Sequence, residues 1–247
     1  MSDTPNVVSR RNMLRGFSVV SIAALAKGCV NLGLPNVNNG NGGPNGGGLD
    51  DLTEAEAAAG NPDCIVTTEA TEGPFYVNLN RVRSDIRETQ SGSTLSLTFN
   101  VVEADTCTPI PDAVIDIWHA GAEGRYSAEA SEGTAGETFL RGVQTTDAGG
   151  IARFTTIYPG WYAGRTVHMH GKVHIDNSVV TMQFFFADAQ TDAVYAANAV
   201  YNTRGERGTR NEDDGILAGA NEGVGVFMKI TDNGDGTYAG EITIGVA

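Results

Sequence analysis

From Thr94 onward the chain alternates apolar and polar residues, or bunches apolar residues into short runs, and turn-forming residues separate one stretch from the next. This pattern predicts strands over Thr94–Val102, Ala113–Trp118, Gly150–Ile157, Thr166–Ile175, Thr181–Phe186, Gly225–Thr231 and Thr237–Val246. Between them lie Asp-Ala-Gly-Gly at 147–150, Asp-Asn at 176–177 and Asn-Gly-Asp-Gly at 233–236. These residues tolerate the backbone angles a reversal needs and bond to their own main chain. Helical signal is sparse: Thr53–Ala59, where Thr53 precedes Glu56 at capping-box spacing, and Ala187–Ala199. Many short strands with few short helices predict an all-β fold, an immunoglobulin-like β-sandwich without internal repeats.

The first fifty residues follow a different rule. Ser9-Arg10-Arg11-Asn12-Met13-Leu14-Arg15 leads into an almost uncharged run, Gly16 to Ala26, too short to span a bilayer as a mature helix. That order, an arginine pair followed by a short apolar stretch and small residues, is the form of a twin-arginine export signal. Ala26-Lys27-Gly28-Cys29 also has features of a lipoprotein cleavage box, although Lys27 fits it poorly, so Cys29 is a candidate lipid anchor and the one predicted route to a membrane. Asn31 to Asp50 is rich in Asn and Gly, the composition of a tether. The predicted division is therefore an export signal over 1–28, a flexible linker over 29–51 and one β-sandwich domain over 52–247. The destination is periplasmic, extracellular or lipid-anchored at the cell surface, and oligomeric state is left open.

Composition narrows the function classes. The 247 residues include 16 Lys+Arg against 30 Asp+Glu, a net charge of −14, and removing residues 1–28 makes the balance more acidic still. No basic stripe is present to neutralise phosphates, which excludes a nucleic-acid binder on electrostatic grounds. Any anionic ligand needs a local Arg or Lys. Apart from Cys29 the cysteines are an even pair, Cys64 and Cys107, and in an exported protein these are expected to form a disulfide. Asp232 to Gly236 resembles a calcium loop but lacks the bidentate Glu of an EF-hand, and reads as a hairpin turn. Phosphate-binding glycine loops and the Gly-x-Ser-x-Gly nucleophile elbow do not occur.

Candidate chemistry centres on His168-Met169-His170. In a strand, alternation puts both imidazoles on one face about 7 Å apart, a spacing suited to two ligands of one metal. His174 has the same parity and is a rival. Tyr162, behind Pro159-Gly160-Trp161, and Arg165 lie just upstream. Tyrosine beside His-x-His points to iron(III), a hard cation that favours anionic oxygen and depresses a phenol's pKa. Tyr158 is the rival tyrosine. Trp118 reads as core, His119 as structural, and Asp116 as a strand acid serving a hydrogen bond or ion pair.

The run Ile115-Asp116-Ile117-Trp118-His119-Ala120-Gly121-Ala122-Glu123-Gly124-Arg125-Tyr126 resembles the signature of intradiol ring-cleavage dioxygenases: apolar, acid, apolar, six residues, Gly, any residue, aromatic. Thr71-Glu72-Gly73-Pro74-Phe75-Tyr76 is similar to that family's Gly-Pro-aromatic pocket wall, and Arg207 to Asn211 to a downstream stretch of its exported branch. The resemblance covers roughly Cys64 to Asp214. It implies a non-haem Fe(III) held by Tyr126, Tyr162, His168 and His170, with Arg165, Tyr162 and Gln183 as catalytic groups and Gly73, Pro74 and Arg165 lining the substrate pocket. It further implies that a catechol and O2 are the small-molecule partners, the ring opening between its hydroxyl-bearing carbons to a muconate-type dicarboxylate. Two alternatives from other classes are a secreted β-sandwich that only binds, and a cupin-like metalloprotein.

Overall fold

The computed structural model describes Asn61 and residues 64–220 and 226–247. The expected export signal, the expected linker with Cys29 and the expected helix Thr53–Ala59 lie outside the described residues. Eight strands, one more than the seven the sequence pattern marks, form two four-stranded sheets. β1 (Thr94–Glu103), β4 (Ile151–Ile157), β7 (Lys229–Asp232) and β8 (Tyr238–Val246) make one sheet in the order β4-β1-β8-β7. β2 (Val114–Trp118), β3 (Arg141–Thr145), β5 (His168–Ile175) and β6 (Ser178–Phe185) make the other in the order β3-β2-β5-β6. β1 pairs antiparallel with β4 and parallel with β8; every pairing in the second sheet is antiparallel.

Alternation explains the core. Leu95, Leu97, Phe99 and Val101 of β1 face Ile115 and Ile117 of β2, Met169 and Val173 of β5, and Met182 and Phe184 of β6 within one buried cluster. Residues of the opposite parity on the second sheet, Trp118, His168, His170 and Gln183, therefore point outward, yet they too are buried, because chain segments cover that face. The helices are few and short: α1 (Asp188–Ala197), as expected, and α2 (Gly215–Ala218), which sequence periodicity does not flag. Among the described residues no helix is long and apolar enough to cross a membrane.

Boundaries shift where local bonding competes with the ladder. The strand expected from Thr166 begins at His168, because the Thr166 backbone N–H is taken by Asp214 and its hydroxyl by Asn211. β6 begins earlier than expected, at Ser178, closing a two-residue hairpin at Asp176–Asn177. β3 was not expected at all. The predicted disulfide is present, Cys64 to Cys107. It anchors a segment that runs along β8 at Thr67 and then along β6 at Ala70 before it reaches the covered outer face.

Candidate metal centre

The two histidines sit side by side on β5, opposite Phe185 and Gln183 of β6, with Trp118 of β2 opposite His170. His168 places Nδ1 2.7 Å from the Thr166 carbonyl. That acceptor assigns the proton to Nδ1 and leaves Nε2 with a lone pair. The Nε2 atoms of His168 and His170 lie 3.1 Å apart, and the Trp118 ring stacks on His170 at 5.1 Å with planes 8° apart. Burial first, then the positive charge of Arg165, takes His168 down to about 3. Burial and the neighbouring His168 push His170 well below the usual histidine range. Both imidazoles are therefore neutral, with lone pairs available.

Two loops bring in the tyrosines. Gly160 lets the loop carrying Tyr162 lie on the loop that leads to Tyr126; a Cβ at Gly160 would meet the Gly121 carbonyl oxygen at 2.2 Å. The Tyr162 hydroxyl is 3.0 Å from His168 Nε2. Tyr126 is fully buried, its ring 5.7 Å from Tyr162 and 6.2 Å from His170, and its hydroxyl has no hydrogen-bond partner. Burial foremost, then the proximity of Tyr162, raises the Tyr126 pKa well above the phenol range, and burial also raises that of Tyr162.

This donor set fits a metal ion. Two neutral nitrogens and two phenol oxygens converge; the positive charges of Arg165 and Arg141 act to lower the Tyr126 pKa, and that of Arg165 the Tyr162 pKa, but burial outweighs them, and a bound cation reverses the effect of burial on such groups. Among the described residues no group of three or more His, Cys, Asp and Glu is placed to hold a metal, so a metal here depends on the phenols. Oxygen donors of that kind select a hard, high-valent ion.

Arg165 closes one side. Its Nε donates to Asp214 at 2.8 Å and Nη2 to Gln183 Oε1 at 2.6 Å, while Nη1 stands 3.3 Å from His168 Nε2. Gln183 is fixed at its other end by the Thr71 carbonyl, 2.9 Å away. Gly73 has φ +71° and its α-carbon approaches His170 so closely that a Cβ would lie 3.1 Å from Cε1. The left-handed conformation favours glycine there, and any side chain would press on His170. Pro74 itself is exposed. The residue of that segment that reaches the cluster is Phe75, stacked on Tyr126 at 4.4 Å and edge-on to Tyr162 at 5.9 Å.

The structure thus brings together Tyr126, Tyr162, His168, His170, Arg165, Gln183 and Gly73. The rivals are elsewhere. His174 lines a cavity of about 260 Å³ with Tyr76, Asn78, Asn80 and Asp116, and Tyr158 is in the sandwich core, its hydroxyl 2.9 Å from Thr191. His119 turns inward to Thr156 and is structural as expected. Asp116 accepts from Tyr76 at 3.1 Å, also as expected. Trp118 is buried core as expected, in a small cluster with Ala120 and Tyr126 separate from the main one. Sequence reasoning missed Asp214. The available signal was an Asp preceding Gly-Ile-Leu, an N-cap pattern, although a cap alone does not reveal an arginine partner.

Comparison with known proteins gives an independent view. A family model described as Dioxygenase matches residues 71–188. An intradiol ring-cleavage dioxygenase from Tetranychus urticae shares the fold with a TM-score of 0.66 at 30% identity, over 74% of this chain and 94% of that one. The dioxygenase domain of a dioxygenase carbohydrate-binding protein fusion from Streptomyces sp. SirexAA-E has the same fold, with a TM-score of 0.52 at 23% identity over 74% and 99% of the two chains. Catechol 1,2-dioxygenase 1 of Acinetobacter lwoffii is 28% identical over 182 residues, 64% of this chain and 56% of its own length. Catechol 1,2-dioxygenase of Acinetobacter baylyi is 34% identical over 101 residues, covering 39% and 32% of the two chains. The chain therefore spans about a third to just over half of these catechol enzymes.

Proposed function

The chain belongs to the intradiol ring-cleavage dioxygenase family, and from that premise we propose that it is an exported non-haem iron(III) enzyme that opens a catecholic ring between its two hydroxyl-bearing carbons. The reaction would take up O2 and yield a muconate-type dicarboxylate. The observation that carries this reading is the convergence of Tyr126, Tyr162, His168 and His170 at one buried point, with the Tyr126 hydroxyl left without a partner. These four residues would hold the ion. When bound, iron(III) supplies Lewis acidity toward a vicinal diol and draws electron density from its ring.

The remaining roles belong to this chain's own groups. Tyr162 is the less buried of the two phenols, so its Oη is the one placed to take up a proton from an entering catechol hydroxyl. Arg165, held by Asp214 and Gln183, keeps a fixed positive charge beside His168, where it would stabilise negative charge that develops on the organic fragment. Gln183 would orient that fragment. Phe75 and Trp118 wall the cluster with apolar surface and exclude water, which strengthens every charge interaction inside. The export route proposed for residues 1–28 suits this chemistry, because twin-arginine transport moves folded proteins and permits metal loading before export.

The test is iron quantification and a visible spectrum of the purified protein, before and after anaerobic addition of catechol. One iron per chain with a tyrosinate-to-iron(III) band that moves on catechol addition is the expected result. A colourless protein that stays iron-free after reconstitution would overturn the proposal and leave a binding module.

A further inference from the structure

Four buried side-chain atoms among the described residues lack hydrogen-bond partners: Trp118 Nε1, Tyr126 Oη, Arg141 Nη1 and His170 Nδ1. Leaving such groups unsatisfied is costly, so each one calls for an explanation. They are not scattered. Strand register puts Arg141 of β3 opposite Trp118 of β2, Trp118 opposite His170 of β5, and His170 opposite Gln183 of β6. One row of side chains thus crosses the whole outer face of the second sheet beneath the donor cluster, and Tyr126 meets its His170 member edge-on.

A metal held by Tyr126 and His170 accounts for the unpartnered phenol but leaves Arg141 unexplained. Its guanidinium is buried, with Nε donating to Ser127 Oγ at 2.9 Å and Nη2 to the Ser127 carbonyl at 2.7 Å. Among the described residues no carboxylate pairs with it. A buried cation without an anion is destabilising by several kcal/mol, so its retention at this point needs a function. Ser127 is the residue after Tyr126, and both of its oxygens are held by this one side chain.

Building on the metal reading above, we propose that Arg141 is a positioning residue for the metal centre, fixing the Tyr126 arm through Ser127 and keeping a buried positive charge, in no ion pair, at the base of that arm. Burial lowers the guanidinium's pKa, and Tyr126 is the foremost group opposing that effect, ahead of Glu129, Asp116 and Tyr76. This electrostatic link agrees with the contact through Ser127. Arg141 touches no reacting atom in this account; it acts through Tyr126.

The experiment uses the iron-loaded full chain with Arg141→Met and Arg141→Lys, reading iron per chain, the reduction potential of the bound iron, and kcat and KM per iron. Removing a nearby positive charge favours the more highly charged ferric state, so Arg141→Met should lower the potential. It should also reduce kcat per iron about tenfold or more, the usual effect of removing an outer-shell partner, with a smaller change in KM. Arg141→Lys keeps the charge but loses the planar fork; it should restore the potential and recover only part of kcat. Bound iron in Arg141→Met with wild-type potential and turnover, accompanied only by a lower melting temperature, would overturn the proposal and make Arg141 architectural. If Arg141→Met does not fold, Arg141→Lys decides, since reduced turnover per iron at unchanged potential supports the clamp and wild-type turnover refutes it. Absence of iron from the wild-type control would instead bring down the metal reading itself.

Discussion

Asp214 shows how much one carboxylate can organise. One oxygen accepts from Arg165 and from the Thr166 backbone, and the other accepts from Ile216 and Leu217 at the start of α2. Burial acts to raise its pKa, but the bonds from Arg165, Thr166 and Leu217 outweigh it and hold the group below its ordinary value. Its contribution to stability is therefore present above the unfolded carboxylate pKa of about 4 and is lost as pH falls through the folded value. Asp214→Asn should lower stability at pH 7 by on the order of 3 kcal/mol, the scale for breaking a buried pair, and should flatten the acid limb of a denaturation-against-pH curve. In iron-loaded protein it should also slow turnover while leaving iron bound, because it frees Arg165 rather than a donor. Asp116 has the opposite sign. Burial raises its pKa to about 6, against a hydrogen bond from Tyr76 and the charges of Lys172 and Arg141. A raised carboxylate makes the fold bind its proton more tightly than the unfolded chain does, so stability falls as pH rises from about 4 to 6. Asp116→Asn, which can still accept from Tyr76, should remove that slope in urea denaturation series and leave stability at pH 7 equal or greater.

At the scale of elements, legibility in the sequence tracked whether one face of a strand was apolar. β1, β2 and β8 alternate cleanly and were readable within a residue or two. β5 was readable on both faces, since Met169 and Val173 mark the core while His168 and His170 mark the site. β3 was not, because Arg-Gly-Val-Gln-Thr offers neither alternation nor a run. Its outward position is the buried Arg141, and its inward position is Gly142, where a Cβ would stand 2.4 Å from Ile86 Cγ2 and 3.1 Å from the Arg83 carbonyl oxygen. The core space that would have carried a strand's signature side chain is filled from another segment. Gly142→Ala should therefore destabilise by about 1–3 kcal/mol, the cost of overpacking, measured as a shift in urea midpoint with unchanged slope. An unaffected midpoint would mean that Ile86 moves aside at no cost. The same logic explains the partial legibility of the site. The His pair and Tyr162 were visible from their spacing, and Tyr126 and the segment that carries Phe75 from the resemblance, whereas Asp214 and Arg141 enter it from distant segments that only the folded chain juxtaposes.

For the molecule as a whole, the disulfide links stability to the way the site is covered. Cys64 and Cys107 close 43 residues, and on the chain-entropy model such a loop stabilises by about 4 kcal/mol, with typical measured values of about 2–4. The bridge lies at the head of the segment that bonds to β8 through Thr67 and to β6 through Ala70, and then delivers Gly73 and Phe75 to the donor cluster. Gln183 also donates to this segment, at Thr71. Reduction should thus act in two stages. Loss of the bridge lowers global stability toward the range above, seen as a lower denaturation midpoint with reductant than without it. Before global unfolding, the freed segment should lose its few bonds to the sheets, and amide exchange at residues 65–70 should accelerate more than exchange in β1 or β5. The donors themselves are carried by β5 and by the loops of Tyr126 and Tyr162, and none lies on the tethered segment. Iron once loaded should therefore survive mild reduction while the pocket wall loosens, raising KM for a catechol more than it lowers kcat. Exchange that speeds uniformly through the sandwich would show instead that the bridge supports the whole fold and has no special relation to this face. An enzyme built this way performs best where the bridge persists, in an oxidising compartment, which is where the proposed export signal would deliver it.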